Sequence, residues 1–179
     1  MANFMELAPR AQRQIIRRME PLEPPALHQA QAAYGWLELG NVEEAFAELE
    51  RLPEELQLLP AVQAVRLDCL MAAKDWNAAV KLAQVLCGQW AEEPGLWLHH
   101  AYAARRCAGG SIEAAYELLA PCVERFPEEW LIPYNVACYL CQMERLDEAR
   151  AMLEMARAKG GERVDTMAKD DEDLAPLNL

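Results

Sequence analysis

The stretch GNVEEAFAELE, residues 40–50, returns three times in altered form, as KDWNAAVKLAQ (74–84), GSIEAAYELLA (110–120) and ERLDEARAMLE (144–154). Each segment has a turn residue, a polar residue, an apolar residue and two mostly polar residues before an alanine. The alanines are separated by 34, 36 and 34 residues; they are Ala45, Ala79, Ala115 and Ala149. Four matches in phase at this period predict a repeat protein built from pairs of helices.

The segments upstream of these turns follow the same repeat. YNVACYL at residues 134–140 places Asn135 and Ala137 where the tetratricopeptide repeat has N-L-G-x-x-Y, and Ala33 and Trp36 fill matching small and bulky positions in the first unit. The chain resembles that family over residues 26–159, with about four repeats. The resemblance implies an all-α fold, a right-handed superhelical solenoid of antiparallel helix pairs.

Helical periodicity and proline positions predict the element ends and three regions. Residues 1–25 are expected to form an amphipathic capping helix (4–19) and a proline-rich linker, and residues 160–179 a short capping helix and an acidic tail. Pro121 predicts a kink or an early end in its helix. The predicted repeat helices are 26–38, 42–52, 59–73, 76–89, 95–107, 112–124, 130–143 and 146–158.

Composition excludes several functional classes. The 179 residues carry a net charge of −12, and an acidic surface disfavours binding to phosphate backbones. The sequence has no apolar run of about eighteen residues, as a membrane span needs. The first twenty residues lack the apolar core and cleavage site of a secretory signal. We therefore expect a cytoplasmic protein that binds neither nucleic acid nor membrane.

The residues that carry chemistry in enzymes have structural explanations here. Cys138 and Cys141 form a C-x-x-C inside a predicted helix, with no second pair to complete a zinc site, so buried thiols are favoured. His99 and His100 are adjacent and cannot chelate one ion together; we expect one in the core and one in the groove. Ser111, the only serine, is placed as a helix N-cap. The sequence predicts no enzyme, metal or cofactor.

The resemblance places the binding surface of this family on the first helix of each pair. The residues that it assigns to the partner-binding groove are Tyr34, Leu37, Asp68, Met71, His99, Tyr102, Arg105, Arg106, Tyr134, Cys138 and Gln142. The expected function is a non-catalytic scaffold that binds another protein or a peptide. Two alternatives stay open, a bacterial secretion-type chaperone for an export substrate and a structural subunit forming a homo-oligomer through its repeat faces.

Two features of this surface have competing interpretations. Arg105 and Arg106 are expected to be an exposed pair that binds acidic side chains of a partner, or a pair neutralised by glutamates of neighbouring repeats. Leu174 and Leu177 of the acidic tail are expected to dock or to be free. The sequence does not decide whether the tail occupies the groove.

Overall fold

The computed structural model describes residues 22–179, and this part of the chain is all-α, with eleven α-helices, one 3₁₀ helix and no strand. The predicted helix at residues 4–19 lies outside the described residues. The helices are α1 Ala26–Glu38, α2 Val42–Glu50, α3 Glu54–Gln57, α4 Pro60–Ala72, α5 Trp76–Gln89, α6 Pro94–Arg106, α7 Ile112–Leu119, α8 Cys122–Arg125, α9 Leu131–Gln142, α10 Leu146–Gly160, α11 Glu162–Lys169 and the 3₁₀ helix Glu172–Leu177.

The eight predicted repeat helices correspond to described helices, and most ends agree within two residues. The predicted helix 112–124 is divided into α7 and α8 around Pro121, as the missing N–H and the fixed ring of proline favour. The single turn α3 was not predicted. The capping helix predicted after Gly160 and Gly161 is α11, which follows Gly161 at a φ of 58°.

Consecutive helices pack against each other along the chain. The strongest contacts join α1 to α2, α5 to α6, α6 to α7 and α9 to α10, and the first pair reaches the second through contacts of α4 with both α1 and α2. Connections as short as three residues, such as 39–41 and 143–145, make the two helices of a pair run back against each other. Most contacts between helices therefore join helices that are neighbours in the sequence.

The turn within a pair repeats its hydrogen bonds. In the first pair Gly40 N–H donates to the Leu37 carbonyl and Asn41 N–H to the Trp36 carbonyl, and the turns at 74–75 and 144–145 repeat this geometry. Gly40, Lys74 and Glu144 all take a positive φ, of 74°, 59° and 60°. This is the Schellman end of a helix. In the third pair the positive φ falls on Gly109, which lies six residues before Ala115 and so one residue earlier than in the other pairs.

Small residues at the repeated alanine positions allow the helices to approach. Ala45, Ala79, Ala115 and Ala149 are each completely buried. The second helices of the first three pairs begin at capped ends, because the side chains of Asn41, Asp75 and Ser111 accept hydrogen bonds from the N–H three residues later. Local sequence therefore fixes where each pair turns and how closely its helices pack.

The apolar core has two parts. The smaller part lies among α1, α2 and α4, and includes Leu49 and Val65. The larger part runs from α4 to the end of the chain and includes Leu174 and Leu177 of the 3₁₀ helix. The acidic tail is consequently folded onto the helices, and it packs chiefly against α9.

Candidate functional site

Three residues from three pairs meet in a buried polar network. Tyr34 on α1 donates its hydroxyl hydrogen to Asp68 Oδ2 at 2.7 Å, and His99 Nε2 on α6 lies 3.2 Å from Asp68 Oδ1. His99 Nδ1 lies 2.6 Å from the Gly95 carbonyl oxygen, which can only accept a hydrogen bond. The network joins the first helices of pairs one, two and three.

Arg106 packs against aromatic rings instead of pointing into solvent. Its guanidinium carbon lies 3.4 Å from the centroid of the Tyr102 ring and 5.7 Å from that of Trp76. Its Nη1 donates to the Tyr102 carbonyl at 2.9 Å. Burial lowers the pKa of Arg106, although the neighbouring Tyr102 opposes that shift. This arginine is half-buried and holds the end of α6 against α5.

Arg105 forms an ion pair with the C-terminal tail. Its Nη1 donates to Asp173 Oδ2 at 2.8 Å and its Nη2 to Oδ1 at 3.4 Å, so the contact has two hydrogen bonds. Burial alone would lower the pKa of Arg105, but the hydrogen bond and charge of Asp173 raise it above its ordinary value. Gln142 Nε2 donates to the Asp173 main-chain carbonyl at 3.1 Å, which holds the tail from the other side.

A second tail carboxylate lies between two groups of α9. Tyr134 donates its hydroxyl hydrogen to Asp171 Oδ2 at 3.0 Å, and the Cys138 thiol lies 3.7 Å from the same oxygen. Burial, followed by the nearby Cys138 and Asp171, raises the pKa of Tyr134 well above its ordinary value, and burial also raises that of Cys138. Asp171 also accepts from the Asp173 N–H at 3.0 Å. Both partners of α9 therefore stay protonated and donate to the carboxylate.

Two leucines anchor the tail in the core. Leu174 is 1% exposed and Leu177 is 4% exposed. A small cavity of about 20 Å³ is bounded by α6, α9, α11 and the tail, with Tyr102, Tyr134 and Asp171 in its wall. That volume suits about one water molecule. We call the surface that holds residues 171–177 the tail site, formed by Tyr102, Arg105, Tyr134, Cys138, Tyr139 and Gln142.

Seven of the eleven residues assigned to the groove are buried in this structure, three are partly buried, and Gln142 is exposed. Met71 is completely buried in the larger core and Leu37 packs, partly buried, against the smaller core. The expectation that one of the adjacent histidines is exposed is wrong, because both are buried. The remaining predicted residues that are buried are Tyr34, Asp68, His99, Tyr102, Tyr134 and Cys138. Their role in partner binding stays a prediction.

The arginine pair is less exposed than expected. Arg105 and Arg106 are both partly buried. Arg105 pairs with an aspartate from the end of the chain, and Arg106 lies on aromatic faces. The shared position of these residues on α6 was predicted, whereas their separate environments were not.

Sequence reasoning missed Asp171 and Asp173 as site residues. The signal that was available is the segment DDEDLAPL, in which acidic residues precede two leucines spaced by three. An acidic run usually indicates a solvated tail. Leu174 and Leu177, which follow this acidic run, were the residues that favoured docking of the tail on the helices.

The part of the chain that the structure describes contains no group of three or more His, Cys, Asp or Glu side chains arranged to hold a metal ion. Within residues 22–179, no helix combines the length and apolarity needed to cross a membrane. Comparisons of the chain with protein-family models, with curated proteins and with solved structures find no match.

Proposed function

We propose that this protein is a non-catalytic interaction scaffold of the tetratricopeptide-repeat type, which binds a segment of another protein on the first helices of its pairs. One observation carries the proposal. An irregular segment, residues 171–177, lies on α9 and contacts α6, and it is held by side chains that the repeat pattern assigns to the binding groove. The surface thus already accommodates a peptide segment.

The contacts in the tail site are those of peptide recognition. A side-chain amide binds a main-chain carbonyl, an arginine binds a carboxylate with two hydrogen bonds, and two leucines fill apolar space. Arginine and aromatic residues, which supply much of the binding energy in protein interfaces, are both present. The polar groups described here pair with each other or with the tail, an arrangement that supports binding more than catalysis.

The test uses affinity capture with a matched pair of charge-reversal variants. Arg105→Glu changes the tail site, whereas Arg150→Glu makes the same change on α10, where the arginine side chain is 52% exposed and pairs with Asp147. Tagged parent and variant chains are used to capture proteins from the producing cell, and circular dichroism checks that each variant is folded.

We expect Arg105→Glu to lose the partner and Arg150→Glu to keep it. A partner captured equally by all three chains would place binding outside the tail site and overturn the proposed site. Arg106 is left unchanged in this experiment, so that its packing on Tyr102 and Trp76 is the same in every chain.

A further inference from the structure

We infer that the partner segment is acidic and carries leucines in the spacing of the chain's own tail, and that the tail occupies the site until that partner displaces it. This inference rests on the proposed function and names the class of its partner. The pattern is aspartate, any residue, aspartate, leucine, any two residues, leucine, as in residues 171–177.

Each specified position of the pattern follows from a contact. The first carboxylate accepts from the Tyr134 hydroxyl, and the second pairs with Arg105. The two leucines enter the larger core beside α9 and α10. The unspecified positions are the more exposed ones, since Glu172, Ala175 and Pro176 lie at the surface. Specificity therefore lies in two charges and two apolar side chains.

Charge complementarity selects the occupant. The protein carries a net charge of −12, so an acidic segment is repelled by most of its surface. The tail nevertheless places Asp173 against α6, because the Arg105 guanidinium is there, with only 13% of its side chain exposed. A basic segment in the same place would put a like charge against this arginine. The site consequently favours an acidic partner.

The tail is a replaceable occupant because its own structure is short. It is a six-residue 3₁₀ helix with Pro176 inside it, a type of helix with weaker hydrogen-bond geometry than an α-helix. Its attachment to α11 gives it a high effective concentration at the site, typically in the millimolar range for a short connection. A partner segment binds when its own contacts or concentration exceed that advantage.

The experiment uses the full chain and a labelled synthetic peptide with the sequence of residues 170–179. In the tail-weakened chain, Leu174→Ser and Leu177→Ser reduce docking while chain length and charge are unchanged. We expect fluorescence anisotropy to give a dissociation constant for this chain at least tenfold lower than for the parent. Adding Arg105→Glu should raise it at least tenfold, whereas adding Arg150→Glu should leave it unchanged.

A control peptide, in which both leucines are replaced by serine, keeps the charge of the probe. Equal binding of probe and control to the folded tail-weakened chain would overturn the leucine requirement, and absence of probe binding would overturn the inference. A dimer of the parent formed by exchange of tails, detected by light scattering and hydrogen exchange, would also overturn it, because a second copy would then be the occupant.

If circular dichroism shows that the tail-weakened chain is unfolded, the parent chain still decides the question. Excess unlabelled probe should raise amide hydrogen exchange at residues 171–177 in the parent, while the control peptide should not. Unchanged exchange overturns the inference. The proposed function is judged separately, since a partner whose capture depends on Arg105 but is not reduced by the probe would support the scaffold and contradict this partner class.

Discussion

Arg105 and Asp173 are separated by 68 positions in the sequence, yet their side chains form an ion pair with a shortest distance of 2.8 Å. The two side chains are only 13% and 11% exposed, so solvent screens them weakly. The pair connects the last turn of α6 to the tail. It fixes the end of the chain over the third and fourth helix pairs.

Truncation of either partner should destabilise the fold. Arg105→Ala and Asp173→Ala should each lower the free energy of unfolding by about 1–3 kcal/mol, because each removes two charge-assisted hydrogen bonds from a mostly buried position. The double variant should lose less than the two effects added together, with a coupling of about 1 kcal/mol. Urea unfolding measures all three. Arg150→Ala, which breaks an exposed pair, should change stability by less than about 0.5 kcal/mol, and additive effects of Arg105 and Asp173 would contradict the pairing.

Substitutions in the buried network of Tyr34, Asp68 and His99 should lower the free energy of unfolding by different amounts. Tyr34→Phe removes one hydrogen bond to a carboxylate and should lower the free energy of unfolding by about 1–2 kcal/mol. Asp68→Ala leaves both the Tyr34 hydroxyl and His99 Nε2 without this acceptor, so the loss should be larger, about 3 kcal/mol. Denaturant unfolding of the two variants tests the order. An unchanged free energy of unfolding in Tyr34→Phe would show that the hydrogen bond of the Tyr34 hydroxyl does not stabilise the fold.

The helices were predictable because local signals determine them. Asn41, Asp75 and Ser111 can cap a helix from their own position in the chain, and Pro121 ends one by its own covalent structure. The hydrogen bonds of the turns inside the pairs join residues only three to five positions apart in the sequence. Agreement between prediction and structure is accordingly best at these ends.

The tail site was not predictable in the same way, because its contacts span most of a repeat or more. A period of 34 residues predicts that Tyr34 and Asp68 occupy equivalent positions, and they do meet. The pairing of Arg105 with Asp173 was not predicted, because the tail lies outside the repeats that the sequence defines. A six-residue segment is also too short for helical periodicity to reveal which of its side chains are buried.

Thiol reactivity should separate one cysteine from the rest. Burial raises the pKa of Cys69 and Cys87 to about 12 and that of Cys122 to about 11, so these thiols stay protonated at pH 8. Cys107 is partly exposed, unlike the other five. We expect a thiol reagent to modify one group rapidly in the native chain and six in urea, and Cys107→Ser to remove the rapid phase. Two or more rapid groups in the native parent would contradict the described burial.

The turn before α7 should not tolerate a side chain at Gly110. A Cβ there would lie 2.1 Å from the Ala104 carbonyl oxygen and 3.0 Å from that of Cys107, and both are backbone atoms that cannot rotate away. Gly110→Ala should therefore lower the free energy of unfolding by about 2 kcal/mol or more. Gly88→Ala is the matched control on the exposed side of α5, where a Cβ meets nothing within 4 Å. It should stabilise by up to about 1 kcal/mol through helix propensity, and equal melting temperatures for the two variants would contradict the close approach.

His100 should make stability depend on pH. Its ring is buried, its Nδ1 has no hydrogen-bond partner in the described part of the chain, and burial lowers its pKa from the ordinary value of 6.5. As the pH falls below 6.5, the unfolded chain binds a proton at His100 more readily than the native chain does. The free energy of unfolding therefore decreases, by up to about 1 kcal/mol between pH 7.5 and 5.5.

His100→Leu should remove this part of the pH dependence. At pH 7.5 the variant should match the parent within about 1 kcal/mol, because the lost ring contacts are offset by the removal of a buried, unpaired nitrogen. Urea unfolding of both chains at pH 7.5 and 5.5 gives the difference in how strongly the free energy of unfolding depends on pH. Both chains contain the other two histidines, His28 and His99, so any contribution from them drops out of that difference. Measurements stop at pH 5.5 to keep the titration of Glu48 out of the comparison. The hydrogen bond with Arg51 lowers the pKa of Glu48, so the stability that this carboxylate contributes is lost only below the ordinary carboxyl value of 4.5. Identical slopes for the two chains would show that His100 accepts a proton as readily in the native state as in the unfolded one.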